Sequence, residues 1–485
     1  MRKIVYTLFF ASIALLAASL TSCSKEETKS FTVPAKGILV ATPGASGTTS
    51  FDSRNITSIS ATSVPTGWSV DDIDMYAGTI TVTAPTSFDN EEVDSGTITL
   101  TGYTPTGATK SVSIYVAIVS DEISFYDMPA NCYVATKPNT RYVFDPMRGG
   151  NGDIELQTTT VKIIWETKEG LIKYLDMRDG KATFYLEDAK EDDDDSDTGN
   201  VHYGNALIGA YDEGGELEWS WHIWVTNNDP TAAENTTTLN GQTMMTINLG
   251  AEHNSNGSTI GSKIYESYGM YYQWGRKDPF VGPQGYNFPG NHDDVLYTAS
   301  GSNLNLEYVE ATAEQGALSW ANANPCSLVK GYKENGYDWL YDGHDDALWS
   351  SESKTNNDPC PAGWHVPDAS LFENLTIEFS YDNMAWEELQ KQYGLMLVNT
   401  ETNAEYFFTA QGRRNYLDCR LDIVNDDIEL PVPWSGYYWT STTNDDGSAT
   451  ALYFDLNTAT RTWNGLDTAR PMHRANGMPV RCVRD

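Results

Sequence analysis

"NNDPCPAGWHVPD", residues 356 to 368, sets a cysteine between two prolines and follows it with Gly363 and Trp364. A cysteine in such a place is a nucleophile, a metal ligand or half of a disulfide, and each reading implies a different protein. A nucleophilic thiol needs a histidine or a cation to lower its pKa. His365 is near in sequence, but Pro361 and Pro367 mark a rigid turn. Zinc would ask for CxxC or HExxH spacing, and the chain has neither. A disulfide depends on the compartment, which is read at the other end of the chain.

That end is "MRKIVYTLFFASIALLAASLTSCSKEE", residues 1 to 27: two cations, an apolar run and "LTSC". This is the layout of a secretory signal cut before a cysteine. The run from Ile4 to Leu20 is short for a membrane-spanning helix. An uncleaved anchor helix would also leave the position of Cys23 a coincidence. The segment resembles the lipobox of bacterial lipoproteins, in which Cys23 receives the lipid (a palmitate-bearing anchor). The following "SKEE" resembles the acidic export signal of Bacteroides-type surface lipoproteins. The resemblance implies a lipid-anchored protein on the cell-surface side of the outer membrane.

The chain carries 67 acids against 31 cations, net −36 over 485 residues. Losing residues 1 to 22 would remove Arg2 and Lys3 and no acid. Such acidity disfavours a nucleic-acid partner; it keeps an exposed protein soluble and leaves carboxylates available for calcium. The length has room for roughly two to four domains.

After a tether at 23–30, residues 31–119 carry almost no helix signal. "GTITVTAP", "SGTITLTGY" and "KSVSIYVAIV" alternate apolar with polar residues between turns, as a small β-sandwich does. With "SVPTGWSVD" the block resembles the BACON and Ig-like modules that follow lipid anchors, and its expected role is a spacer. Residues 120–250 change composition. In "NALIGAYDEGGELEWSWHIWVTN", Trp219, Trp221, Ile223 and Val225 share one strand face, while Ser220, His222 and Trp224 share the other. Aromatics on both faces predict a central buried strand, with His222 packed in the core. "KEDDDDSDTGN", 190 to 200, lacks EF-hand spacing and reads as a solvated hairpin tip. In residues 251–485, "DASLFENLTIEF" and "NMAWEELQKQYG" read as the helical region, with Asp368 as its cap.

"YYQWGRKDPF", "DPCPAGWHVP", "YYWTST" and "ANGMPVRCVRD", in that order, resemble the Fibrobacter succinogenes major paralogous domain; "NCYV" and "WSWHIWVT" fit its longer form. The resemblance covers roughly residues 128 to 485. It implies a multidomain chain: an N-terminal all-β sandwich, then an α+β C-type-lectin-like domain at 251–485 with a β-rich extension at 120–250. It also implies that Cys360 pairs with Cys482. The other cysteines after the lipobox, Cys132, Cys326 and Cys419, are odd in number, so at least one is free or paired between molecules; Cys326 with Cys419 is one arrangement.

The expected function is non-catalytic binding, adhesin-like, of a glycan or host protein. No catalytic residue, metal or cofactor is assigned. The ligand face is expected on the loops "LPVPWSGYYW" and "RTWNGLDTARPMHR", through Trp434, Tyr437, Trp463, Asn464 and His473: flat apolar platforms beside directional hydrogen-bonding groups. Trp439 is expected in the core. Calcium-dependent sugar binding lacks its tripeptides, "EPN" or "QPD", and "DGHDD" at 342–346 reads as an acidic turn before a metal site. Two alternatives remain: a structural tip subunit of a surface assembly, and an oxidase like the related formylglycine-generating enzymes, whose characteristic Arg-Gly-Gly-Ser-Trp stretch is absent.

Overall fold

The computed structural model describes residues 29–33, 37–87, 93–119, 121–189, 199–256, 259, 261–282, 296–378, 393–422, 435–457 and 462–485. The alternation in the first block folds as two facing sheets. One orders Gly37–Val40, Thr109–Ile118, Ser95–Tyr103 and Ser58–Ser63; the other orders Ser46–Ser50, Thr79–Thr83 and Ser69–Asp74. Because side chains alternate along a strand, Ile80 and Val82 point inward onto Ile98, Leu100, Ile114 and Val116, all fully buried. Each is worth about 1.5–3 kcal/mol of transfer free energy. The intervening hydroxyls pair outside, as Thr48 does with Thr81 at 2.9 Å.

The two ends of this sandwich differ. Ser50, Asp74 and Thr79 meet at one end of the smaller sheet, and Ser58, Tyr103 and Thr109 at one end of the larger. Residues 51 to 57 cross between them: Phe51 N donates to Gly78 O at 2.7 Å and Thr57 N to Tyr103 O at 2.8 Å. These are therefore the same end, and Ser30–Thr32 pairs there with Asp52–Arg54. The chain leaves from the opposite end, past Ile118.

A second pair of sheets follows. Asp121–Ser124, Thr140–Phe144, Lys181–Leu186 and Tyr174–Arg178 face a six-stranded sheet of Cys132–Ala135, Leu217–Val225, Gly204–Tyr211, Thr160–Glu166, Leu296–Tyr297 and Asn303–Leu304. Trp219, Trp221, Ile223 and Val225 fill the space between them with Tyr142, Phe144 and Phe184. Trp224, from the opposite face, enters another core with Trp165, Trp274, Trp339, Trp349 and Trp439. Leu217–Val225 is thus buried on both faces.

That other core runs from Cys132 through Met245 to Cys482. It binds together the small sheets of the C-terminal half, among them Thr236–Leu239, Gln242–Met245, Val483–Arg484 and Trp364–His365. The expected helix over "DASLFENLTIEF" is not found. Asp368 caps, accepting from Ser370 N at 2.9 Å, but the turn it starts is a short 3-10 segment, Ala369–Phe372. Asn374, at φ 62°, ends it, and Leu375–Ile377 is a strand. "NMAWEELQKQYG" and "KEDDDDSDTGN" lie almost wholly outside the described residues. An α-helix that sequence reading passed over spans Leu318–Ala323. The result is a nearly all-β, multidomain chain.

Candidate functional site

The motif "GRKDPF" places three consecutive charged residues, Arg276, Lys277 and Asp278, out of solvent at 1% exposure each. Lys277 Nζ lies 2.6 Å from Asp278 Oδ1 and 4.6 Å from the Trp219 ring, and Ser220 donates to the same Asp278 oxygen at 2.6 Å. Arg276 donates to the carbonyls of Ser327 and Ala321. Buried charge is tolerated only when paired and hydrogen-bonded, so this cluster fastens the six-stranded sheet to the C-terminal half.

One position along the same strand face from Ser220, His222 is fixed as a single tautomer. Asn205 Nδ2 donates to Gly250 O at 2.9 Å, so its Oδ1 accepts from His222 Nε2 at 2.8 Å; Nδ1 is then left to accept from Tyr272 Oη at 3.2 Å. Burial pushes the imidazole pKa down to about 3, so the ring stays neutral.

This line of hydrogen bonds ends at a cavity of about 250 Å³ that sequence reading missed. Its polar groups are Lys168, Asn205, Glu252 and Glu266; Tyr203, Tyr265 and Tyr268 supply ring surface. Tyr203 Oη donates to Glu266 Oε1 at 2.9 Å, and His253 Nε2 lies 3.2 Å from Glu266 Oε2. Glu252, 8% exposed, accepts from Asn227 N at 3.2 Å and from Asn227 Nδ2 at 3.1 Å. Desolvation nonetheless raises its carboxyl pKa to about 7, and Glu266 adds repulsion. The floor depends on Gly250. At φ +90°, a Cβ on it would collide with Met270 Cγ. Rings, carboxylates and amide groups around a small concavity are suited to holding a polar ligand.

The expected ligand residues are spread over other surfaces. Tyr437 is 8% exposed, its ring 5.0 Å from Tyr453, with the Arg413 guanidinium 5.2 Å away and Arg470 3.9 Å from Tyr453. His473 is half-buried between Tyr416 and Tyr337, at 4.4 and 4.9 Å, and its Nδ1 donates to Gly336 O at 3.0 Å. Burial lowers its pKa. Trp463 and Asn464 do not sit on a loop: their backbone belongs to the strand Thr462–Met472, and their side chains are outside the described residues. Trp434 and Cys23 are outside them altogether. Trp439 is fully buried. In "DGHDD", His344 pairs with Asp338 at 2.8 Å and Asp346 with Arg474.

Cys360 is bonded to Cys482, with their Cα atoms 6.0 Å apart across 122 residues of sequence. Cys132, Cys326 and Cys419 are free thiols, so Cys326 and Cys419 are not joined. Desolvation raises the pKa of each, to about 12 for Cys326 and Cys419.

No family model matches the chain, and no curated protein matches it. Among solved structures, the D00-D0 domain of Intimin is similar at 10% identity, over 40% of this chain and 96% of that one, with a TM-score of 0.18. The N-terminal Ig1-2 module of the Drosophila receptor protein tyrosine phosphatase DLAR is similar at 12% identity, over 41% and 98%, with a TM-score of 0.15. The Bacteroides ovatus protein SGBP-B, in complex with a mixed-linkage heptasaccharide, is similar at 12% identity, over 41% and 49%, with a TM-score of 0.12. Similarity at this level carries no argument about fold or function.

Proposed function

We propose that this chain is a lipoprotein anchored through Cys23 at the outer-membrane surface, that it binds a glycan or a host protein without chemistry of its own, and that its C-terminal half is C-type-lectin-like. The observation that carries the binding reading is the cavity between Tyr203, Glu252 and Glu266, where ring faces stand beside fixed hydrogen-bond acceptors. The thiols of the five described cysteines support the non-catalytic part: two are consumed in a disulfide and three are held protonated, far from the thiolate a nucleophile needs.

The test is a glycan and host-protein array probed with the full chain, followed by affinity measurements on variants. Glu266→Gln and Tyr203→Ala, folded as judged by circular dichroism, should each weaken the ligand found by about tenfold, the loss of one good polar or ring contact. Unchanged affinity in both, with loss in Trp434→Ala and Trp463→Ala, would move the site to the face first expected from sequence.

A further inference from the structure

At the end of the sandwich where Ser30–Thr32 enters, the turn between Ser69–Asp74 and Thr79–Thr83 pushes two apolar side chains into water. Tyr76 is wholly exposed and Met75 is 37% exposed. The turn is held rigidly. Asp74 Oδ1 accepts from Tyr76 N at 2.8 Å and Ala77 N at 2.9 Å, and Gly78 N donates to Asp74 O at 2.8 Å. These bonds fix the backbone of the turn, so the fold holds the Cα of Tyr76 at the tip.

Charge is distributed in the same direction. Among the described residues of 29–119 the cations are Lys29, Arg54 and Lys110, all exposed. Lys29 precedes Ser30, which pairs with Arg54, and Lys110 pairs with Gly102 beside the 104–108 hairpin. All three thus stand at the end that carries Tyr76. Of the acids there, Asp74 turns its carboxylate onto the amides of the turn, Asp52 lies on the edge strand opposite Thr32, and Asp72 is exposed two residues before Asp74. Three cations against three acids leave this end near neutral, an exception in a chain of net charge −36. An exposed ring and thioether at the same end as three exposed cations is the chemistry of a contact with the headgroup region of an anionic bilayer.

From the position of the tether we infer that Met75 and Tyr76 rest in the interface of the membrane that carries the protein, steered by Lys29, Arg54 and Lys110. The inference rests on the proposed anchor at Cys23. Five residues lie between Cys23 and Lys29, and the six steps from one to the other reach only about 20 Å at full extension. The opposite end lies one strand length further out, about 30 Å for Ser95–Tyr103.

The experiment replaces the native lipid, so that it does not depend on Cys23. The chain from Ser24 onward, with an N-terminal histidine tag, is tethered to phosphatidylethanolamine and phosphatidylglycerol vesicles through a nickel-chelating lipid. Tyr76→Cys carries an environment-sensitive fluorophore, Thr42→Cys carries it at the far end, and the labelled parent gives the background from Cys132, Cys326 and Cys419. A nitroxide placed high on the acyl chains should quench position 76 and not position 42. Reversing charge at Lys29, Arg54 and Lys110 to Glu should abolish most of that quenching. Absent quenching at 76, equal quenching at both positions, or quenching indifferent to the charge reversal overturns the inference, and the first of these leaves the tip for a protein partner. Palmitate labelling of the native chain against Cys23→Ala reads the anchor separately.

Discussion

Glu252 is an acid that the fold keeps from water while offering it only neutral donors, among them Thr226 and Asn227. Desolvation outweighs those hydrogen bonds, so the pKa stands at about 7 against an ordinary 4.5. A carboxyl raised on folding favours the native state fully below the unfolded value and loses that contribution as pH rises through the folded one. The span is worth on the order of 3 kcal/mol at most. Glu166, raised to about 7 mainly by burial, acts in the same direction, while neutral His222 disfavours the native state as pH falls below about 6.5. Glu252→Gln keeps an acceptor for Asn227 and removes the titration. Its melting temperature should match the parent at pH 4 and exceed it at pH 8; an unchanged fall between those pH values would refute this account of the site.

At the scale of elements, Asp368 joins two of them. One carboxylate oxygen caps the turn Ala369–Phe372 and the other accepts from Thr442 Oγ1 at 2.5 Å on the strand Ser435–Thr443. Asp368→Ala should cost about 1–2 kcal/mol, one cap plus a stranded hydroxyl, read as a lower urea midpoint with unchanged slope. The cap was legible in sequence; the helix expected over "DASLFENLTIEF" was an over-reading. Leu371, Phe372 and Leu375 fit a helical face, yet Leu375 and Ile377 fit a strand equally well, and short apolar runs do not discriminate. The sandwich was legible because its strands alternate apolar with polar residues, and Leu217–Val225 because it carries aromatics on both faces. The cavity was not, since Lys168, Tyr203, Glu252 and Glu266 come from segments that only the fold brings together. Its nearest signal was the series of glycines at 204, 250, 269 and 282, which leave room where backbones meet.

For the whole molecule, the Cys360–Cys482 bond closes a loop of 122 residues, worth about 4–5 kcal/mol in the chain-entropy model. The double variant Cys360→Ser, Cys482→Ser should melt well below the parent, and reductant should lower the parent to meet it; a reductant-insensitive parent would show that the bond contributes nothing. Beside that bond, Val483–Arg484 lies as an inner strand between Gln242–Met245 and Trp364–His365. The sheet therefore joins strands up to about 240 residues apart, and such distant pairings are slow to form. A chain emerging amino-terminus first can close its sandwich at once, since all seven of those strands lie before residue 119. Its tryptophan-rich half cannot close until residue 484 has arrived. During that interval Trp274, Trp339, Trp349 and Trp364 have no finished core to enter, so the carboxy-terminal half is the part that calls for a holding chaperone or escapes into aggregates. Timing, as well as contact energy, is thereby written into where that one short strand lies.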